Sequence, residues 1–290
     1  MPGAGLRCRM YDVAFTAMTE ATHPRLRRVS SPQNALVKAL RRACARGQLT
    51  DEGYCAIESP HIVDEAIRSG LRFQTLFLSE SAMKGAGAKL LPQIGAHTEV
   101  LLLPDAVFNA AVATESPQGV AALVKLKDFK LDDLLRPREP LLVAACGIQD
   151  PGNLGTLLRS AEAFEAAGVL LDEKTVSRAN PKLVRASAGS LFRLPMVEVK
   201  LEEAAETLRA RGLRLLATSS HRGTPLDQAK LTGALALLIG SEGAGVPRDL
   251  LKKMDEVVAI PHSPKVESLN AGVAASILLY EAARQRQRDC

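Results

Sequence analysis

The chain has 290 residues, enough for two compact domains of average size and too few for three. Hydrophobic residues make up 47% of it but aromatic residues only 3%, so its cores must be aliphatic, which favours helices layered on sheets. The five cysteines show no paired spacing, the five histidines are scattered and no apolar run could span a membrane, so we expect a cytoplasmic protein with neither metal nor membrane partner.

The net charge of +5 is concentrated at the N-terminus. Residues 1–50 hold nine Lys and Arg against Asp12 and Glu20, a local balance of +7, so the remainder is slightly acidic. Such an arm can meet phosphate without reading sequence, although a solvated tail explains the charge equally well. We interpret residues 1–28 as a basic, disordered tail. It faintly resembles a transit peptide, and Met18 as an alternative start is the interpretation we prefer.

A basic helix is predicted next. Ser31 and Pro32 indicate its N-terminus and Gly47 its end. One predicted face is apolar and consists of Ala35, Leu36, Ala39, Leu40 and Ala43. The rest of its surface gathers four basic residues: Lys38, Arg41, Arg42 and Arg46.

Short apolar runs then alternate with helical stretches, which predicts a small α/β domain over residues 29–127. Its predicted strands are Tyr54–Glu58, Phe73–Leu78, Glu99–Leu103 and Val120–Leu126. Residues 128–140 carry seven charged residues and two prolines without a clear period, so we interpret them as a linker.

A second α/β domain is predicted over residues 141–290. Its strands are near-continuous apolar runs, as in a parallel sheet covered on both faces: Leu141–Cys146, Val169–Leu171, Met196–Val199, Leu213–Thr218, Ala234–Ile239 and Val257–Ile260. The long predicted helices are Leu154–Ala167, Glu202–Arg211 and Ser268–Arg288.

Ligands of such sheets collect beyond the carboxyl ends of the strands, where three loops stand out. The first, after Cys146, leads into a helix that Asn153 is placed to cap. Arg159 must then point away from the core. It is either a surface residue, paired with Glu162 or unpaired, or a holder of phosphate, and position alone favours the surface residue.

The second loop contains Gly240, Gly243 and Gly245, whose backbone can approach a ligand closely. A tight turn explains these glycines nearly as well, and their spacing does not fit the dinucleotide fingerprint. In the third loop Ser268 and Asn270 offer donors and acceptors at a helix start, although plain capping explains them equally well. His262 is either a base or a solvated side chain.

Taken together, these loops resemble the SpoU or TrmH branch of the SPOUT methyltransferases. The resemblance covers nearly all of residues 141–290. The matching stretches are Asp150–Thr156 through Arg159, Asn180–Lys182 through Ala188–Gly189, Ile239–Gly245, and Ile260–Pro261 through Ser268–Asn270. Residues 29–127 look like that family's substrate-binding domain, which is similar to ribosomal protein L30e. Ser59, where family members usually have Gly, and Glu165, near a usual small residue, depart from the pattern.

The resemblance implies S-adenosylmethionine as cofactor and a ribose 2′-hydroxyl of RNA as acceptor, and we expect the RNA to be 23S ribosomal RNA. It also implies a trefoil knot in the second domain and a homodimer. Arg159 would be the main catalytic residue, supported by Asn153, while Glu242, Ser268 and Asn270 would order the loops and the acceptor nucleotide. The implied cofactor-binding residues are Gly240, Gly243, Gly245, Ile260, Pro261 and Leu269. RNA would be held by Lys38, Arg41, Arg42, Arg46 and Arg185.

Three alternatives stay open at this point. The RNA could be transfer RNA instead of ribosomal RNA. The chain could be a non-catalytic RNA-binding or ribosome-assembly factor of the same fold, which the presence of all five implied catalytic side chains argues against. An enzyme using a dinucleotide cofactor is disfavoured by the glycine spacing.

Overall fold

A computed structural model describes residues 26–288 with the exception of 221 and 244. Of the tail predicted over residues 1–28, residues 1–25 lie outside the described range, whereas Leu26–Arg28 form a strand, so the prediction of disorder is wrong for these three residues. The chain forms two compact units, Met1–Lys125 and Leu126–Cys290. Among the described residues, no helix is both long and apolar enough to cross a membrane.

The first unit is a five-stranded mixed sheet with helices. Its strands are β1 (Leu26–Arg28), β2 (Cys55–Glu58), β3 (Arg72–Ser79), β4 (Glu99–Leu103) and β5 (Val120–Lys125). They lie in the order β1-β4-β3-β5-β2; β3 pairs in parallel with β4, which also pairs in parallel with β1, while β5 runs antiparallel to both neighbours. The helices are α1 (Ala35–Arg46), α2 (Pro60–Arg68), α3 (Ala86–Leu90) and α4 (Asp105–Asn109). The smaller α/β domain is therefore confirmed, with β1 as a strand that the sequence did not suggest.

The start of α1 was predicted wrongly. The helix begins at Ala35 because the side chain of Asn34 accepts the backbone N–H groups of Leu36 and Val37. Ser31 lies in the turn before it and accepts the Gln33 amide. The buried face is consequently also different from the predicted one, and consists of Val37, Leu40, Ala43 and Cys44. Gly47 ends the helix in a left-handed conformation, as predicted.

The second unit is built on seven parallel strands, which confirms the predicted parallel sheet. They are β6 (Leu141–Cys146), β7 (Gly168–Asp172), β8 (Met196–Val199), β9 (Arg214–Ser219), β10 (Thr224–Pro225), β11 (Leu235–Gly240) and β12 (Glu256–Ala259). Their order is β10-β12-β9-β11-β6-β7-β8. The two-residue strand β10 is too short to give a sequence signal.

Helices cover this sheet. They are α5 (Leu131–Leu134), α6 (Pro151–Ala163), α7 (Pro181–Ala186), α8 (Ser190–Arg193), α9 (Leu201–Ala210), α10 (Arg248–Leu251) and α11 (Ala271–Arg288). The one-turn helix α5 lies within the segment interpreted as a linker. Its Leu134 is fully buried in the core of the second unit, so this segment packs as part of that unit.

Helices α6 and α11 lie side by side and carry the carboxyl-edge loops. A Cβ added at Gly272 would lie 2.9 Å from Cβ of Thr156, so the helices approach too closely there for any larger residue. One turn further along, the hydroxyls of Ser160 and Ser276 are hydrogen-bonded at 2.7 Å. These contacts fix the start of α11 against the start of α6.

Helix α6 ends in a six-residue hydrogen-bonded turn that holds Glu165 in a left-handed conformation. The Ala166 amide donates to the Ala161 carbonyl at 2.8 Å, and Glu165 has φ of 56°. A side chain with a Cβ is strained in this conformation and glycine is not. The departure from the family pattern at this position therefore has a local cost.

We expect Glu165→Gly to raise the free energy of unfolding by about 0.5–1 kcal/mol, because removing the Cβ relieves more strain than the added chain entropy costs. Urea denaturation of both proteins measures the difference. Glu165→Ala is the matched control, since it removes the carboxylate but keeps the Cβ and should give no comparable gain. An equal gain in the free energy of unfolding in both variants would show that loss of the carboxylate charge causes it, which would contradict relief of backbone strain.

Candidate active site

One carboxylate oxygen joins the three loops that the sequence singled out. Oε1 of Glu242 accepts hydrogen bonds from Nδ2 of Asn153 at 2.8 Å, Nδ2 of Asn270 at 2.7 Å and the Ala271 amide at 3.2 Å. Asn270 also donates to Oδ1 of Asn153 at 2.7 Å. The ends of β6, β11 and β12 therefore meet in one hydrogen-bonded network at the carboxyl edge of the sheet.

Asn153 does not cap α6, contrary to the prediction. The helix begins one turn earlier, at Pro151, and the carboxylate of Asp150 accepts the Asn153 amide at 2.8 Å. Proline at the first position and an acidic cap before it are the usual helix start. The side chain of Asn153 is thereby free to reach Glu242.

Asn270 has the capping role that the sequence allowed, and a second role besides. Its Oδ1 accepts the Val273 amide at 3.1 Å at the start of α11, while its Nδ2 serves the network described above. The predicted start of this helix at Ser268 is three residues too early. Ser268 lies in the preceding loop and lines a cavity there.

The glycine loop is a tight turn as well as a cavity wall. The Gly245 amide donates to the Ser241 carbonyl at 2.9 Å, and Gly245 has φ of 63°. A Cβ at Gly240 would lie 2.2 Å from the carbonyl carbon of Gly245, so the turn itself requires glycine at position 240. A Cβ at Gly243 would meet nothing within 4 Å. The turn hypothesis thus explains Gly240, while Gly243 lies beside open space.

A cavity of about 430 Å³ lies at this edge of the sheet. Of the predicted cofactor-binding residues, Gly240, Gly243, Gly245, Ile260 and Leu269 line it, together with Glu242 and Ser268. Pro261 does not line it, although both of its chain neighbours do. The Nδ1 atom of His262, which also lines the cavity, lies 2.7 Å from the Ile260 carbonyl oxygen within its own loop.

The sequence missed a fourth loop that contributes to this cavity. Thr218 and Ser219 end β9, and Ser220 and Arg222 follow it; all four residues line the cavity. Strand β9 lies between β11 and β12, so its carboxyl end necessarily meets theirs. The polar run after Ala217 was a usable signal, but the strand order that gives it meaning is not readable from the sequence.

A second cavity, of about 710 Å³, adjoins the first and shares with it Ser241, Glu242, Gly243, Gly245 and Ala271. Asn153 and Asp172 are also in its lining. Burial, with some help from Glu202, raises the pKa of the Asp172 carboxyl, and burial raises the pKa of the Cys146 thiol to about 11.

The predicted phosphate-holding residues are not gathered at this site. Arg159 is exposed, lines neither cavity and lies six residues along α6 from Asn153, about 9 Å along the axis. Among the described residues, it has no ion pair or hydrogen bond through its side chain. Arg185 is partly buried on α7. Arg41, Arg42 and Arg46 are exposed on α1, and Lys38 is partly buried there.

These features define an α/β ligand-binding protein whose site lies at the carboxyl edge of a parallel sheet. Residues 140–280 match the SpoU rRNA Methylase family, and residues 34–122 match the MRM3-like substrate binding domain. The 23S rRNA (guanosine(2553)-2'-O)-methyltransferase RlmP of Bacillus subtilis is 32% identical over 256 residues, which cover 88% of this chain and 98% of that protein. The chain therefore belongs to the SpoU family of RNA methyltransferases, as the sequence resemblance implied.

Two solved structures are similar along most of the chain. The SpoU methyltransferase AviRb from Streptomyces viridochromogenes, in complex with the cofactor AdoMet, is 28% identical with a TM-score of 0.77 and covers 87% of this chain and 98% of its own. The AdoMet-bound rRNA methyltransferase from Sinorhizobium meliloti is 27% identical with a TM-score of 0.78 and covers 90% and 98%. The fold and the cofactor class expected from the sequence are confirmed.

The smaller cavity fits S-adenosylmethionine in size and chemistry. Its volume lies within the usual range for small-molecule sites, about 300–1,000 Å³. Ile239, Val258, Ile260 and Leu269 provide apolar surface for an adenine ring, and the backbone of the glycine loop is open beside them. Glu242 and Glu267 provide negative charge for a cationic ligand.

We expect Gly240→Ala to lower the free energy of unfolding by about 2 kcal/mol or more, because backbone atoms of Gly245 cannot move away from the new Cβ without opening the turn. Gly243→Ala is the matched control and should stay within about 0.5 kcal/mol of the parent protein. Urea denaturation and titration with S-adenosylmethionine measure both variants. A stable Gly240→Ala protein with unchanged cofactor affinity would contradict the proposed role of this turn.

Proposed function

We propose that this protein transfers the methyl group of S-adenosylmethionine to a ribose 2′-hydroxyl of 23S ribosomal RNA. The observation that carries the proposal is the convergence of Asn153, Glu242 and Asn270 beside a cavity of the right size and chemistry for the cofactor. RlmP of Bacillus subtilis is named as a 2′-O-methyltransferase of a 23S rRNA guanosine, and it supports this substrate because the similarity extends over both units.

The reaction is an in-line displacement at the cofactor's methyl group, for which the cofactor supplies an electrophilic sulfonium. The residues described here contribute position. Glu242 fixes the glycine loop against the starts of α6 and α11, so the wall between the two cavities is rigid where acceptor and donor must align. Ser241, Glu242 and Gly243 face both cavities, which supports entry of the acceptor nucleoside from the larger one.

Arg159 holds the phosphate next to the acceptor ribose in this proposal. A guanidinium stays protonated at neutral pH, so it stabilises the emerging alkoxide and the neighbouring phosphate better than it accepts a proton. The exposed, unpaired state of Arg159 among the described residues supports a role toward a ligand. Arg159 lies about 9 Å along α6 from Asn153. It can therefore act at the reacting atoms only through the RNA that it holds or in the site of a second copy of the chain.

We propose that the first unit recruits the RNA. Arg41, Arg42 and Arg46 lie exposed on α1 without ion pairs to other described side chains, and Lys38 lies beside them. Such residues bind phosphate without base specificity. Because its substrate is ribosomal RNA, we place the protein in the cytoplasm.

We further propose a knotted, homodimeric second unit. Strand β12 lies on the far side of β9 and β11 from β6, yet the helix that follows it packs against α6, so the chain must pass back across those strands.

The proposed dimer surface includes two apolar side chains on α11. Val273 and Tyr280 are 46% and 56% exposed and lie one heptad apart. Sedimentation velocity at micromolar concentration should give a dimer that Tyr280→Glu dissociates; a monomeric parent protein would contradict the pairing.

Transfer of labelled methyl groups tests the reaction. The protein is incubated with tritiated S-adenosylmethionine and total RNA from a strain that lacks its gene, and the labelled ribose is mapped. We expect label in 23S ribosomal RNA and none in RNA from the parent strain, whose site is already methylated. Label confined to transfer RNA would show that transfer RNA is the substrate in place of ribosomal RNA. Absence of transfer despite cofactor binding would favour a non-catalytic factor.

We expect Arg159→Ala to reduce methyl transfer to background in the same assay, while affinity for S-adenosylmethionine stays within about twofold. The loss follows because neither the phosphate nor the developing negative charge retains its cation. Arg136→Ala, at an exposed position outside both cavities, is the matched control and should retain activity. Full activity of Arg159→Ala would exclude the assigned role.

A further inference from the structure

Two charges of opposite sign line the smaller cavity without pairing with each other. Arg222 follows β9 and Glu267 precedes α11, and both are exposed. Their charged atoms are more than 4.0 Å apart, since no ion pair joins them. Among the described residues, neither side chain has an ion pair or hydrogen bond elsewhere; only the Arg222 backbone amide is held, by the Ser219 hydroxyl at 3.3 Å.

Several arginines of the second unit are paired with a carboxylate, whereas Arg222 is not. Arg178, Arg193, Arg209, Arg211 and Arg214 each form an ion pair with a carboxylate nearby. Arg222 is the one Lys or Arg among the described residues that line the cavity, and it has a carboxylate in the same lining. A cation and an anion that line one cavity without pairing are complementary to a ligand that carries both charges.

From this arrangement we infer that Arg222 binds the carboxylate and Glu267 the ammonium of the amino-acid end of the methyl donor. The inference rests on the proposed function and assigns to that site two residues which the sequence did not single out. A guanidinium presents paired N–H donors that match a carboxylate, and a carboxylate accepts from an ammonium.

The charge of the whole cavity agrees with this assignment. Its lining carries one guanidinium and two carboxylates, those of Glu242 and Glu267, a net charge of −1 with neutral histidine. S-adenosylmethionine carries a sulfonium, an ammonium and a carboxylate, a net charge of +1. Glu242 holds the loops together through Oε1, whereas the Glu267 side chain has no hydrogen bond or ion pair among the described residues, so we assign the ammonium to Glu267.

Calorimetric titration with three ligands tests each contact separately. The ligands are S-adenosylmethionine, its decarboxylated form, which lacks only the carboxylate, and 5′-methylthioadenosine, which lacks the whole amino-acid end and with it the sulfonium charge. Arg222→Gln should weaken binding of S-adenosylmethionine about tenfold and leave the other two ligands within twofold. Glu267→Gln should weaken the two ligands that have an ammonium and leave 5′-methylthioadenosine unchanged.

The matched control is Arg248→Gln, which removes an exposed guanidinium near the glycine loop that lines neither cavity and should change no affinity. Equal losses for all three ligands would show that the residues only shape the loop, and unchanged affinities would show that they are solvated charges; either result overturns the inference while the proposed function stands. Failure of the parent protein to bind any of the three ligands would instead refute the proposed function.

Discussion

The hydrogen bonds to Oε1 of Glu242 are the constraint on which the rest of the site depends. Three loops leave three different strands, and nothing in their local sequence makes them converge. A carboxylate oxygen can accept several donors at once, so one side chain can hold an amide from each of two loops and a backbone N–H from the last helix. Because these hydrogen bonds fix Glu242, the glycine turn stays between the two cavities and covers neither of them.

The helices explain why this carboxylate can work at the protein surface. Glu242 is exposed, and water competes for its hydrogen bonds. The partners are held in place independently: Asp150 caps α6 beneath Asn153, Gly272 lets α11 approach α6, and the hydroxyls of Ser160 and Ser276 join the two helices. The network therefore needs little ordering of its own, which reduces the entropy that its formation costs.

Much of the fold was readable from the sequence because the strands of the second unit are continuous apolar runs. Leu141–Cys146 and Met196–Val199 match the observed bounds without error, as does Glu99–Leu103 in the first unit. Helix starts were less predictable, since several residues near each start can cap. Ser31 and Asn34 compete for α1, as do Asp150 and Asn153 for α6, and which one wins depends on what the other side chain contacts. The glycine loop was found by its position after an apolar strand and Glu242 through the family resemblance, whereas Arg222 was recognised only with the strand order.

The far end of α11 has a practical consequence. The guanidinium of Arg286 donates to the carbonyls of Glu139, Leu231 and Gly233, which precede β6 and β11 at the amino edge of the sheet. This helix thus runs the full depth of the sheet, from the ligand-binding edge to the opposite one. A fluorescent label attached to α11 near Arg286 therefore lies on that opposite side, where it leaves the cavities accessible for binding measurements.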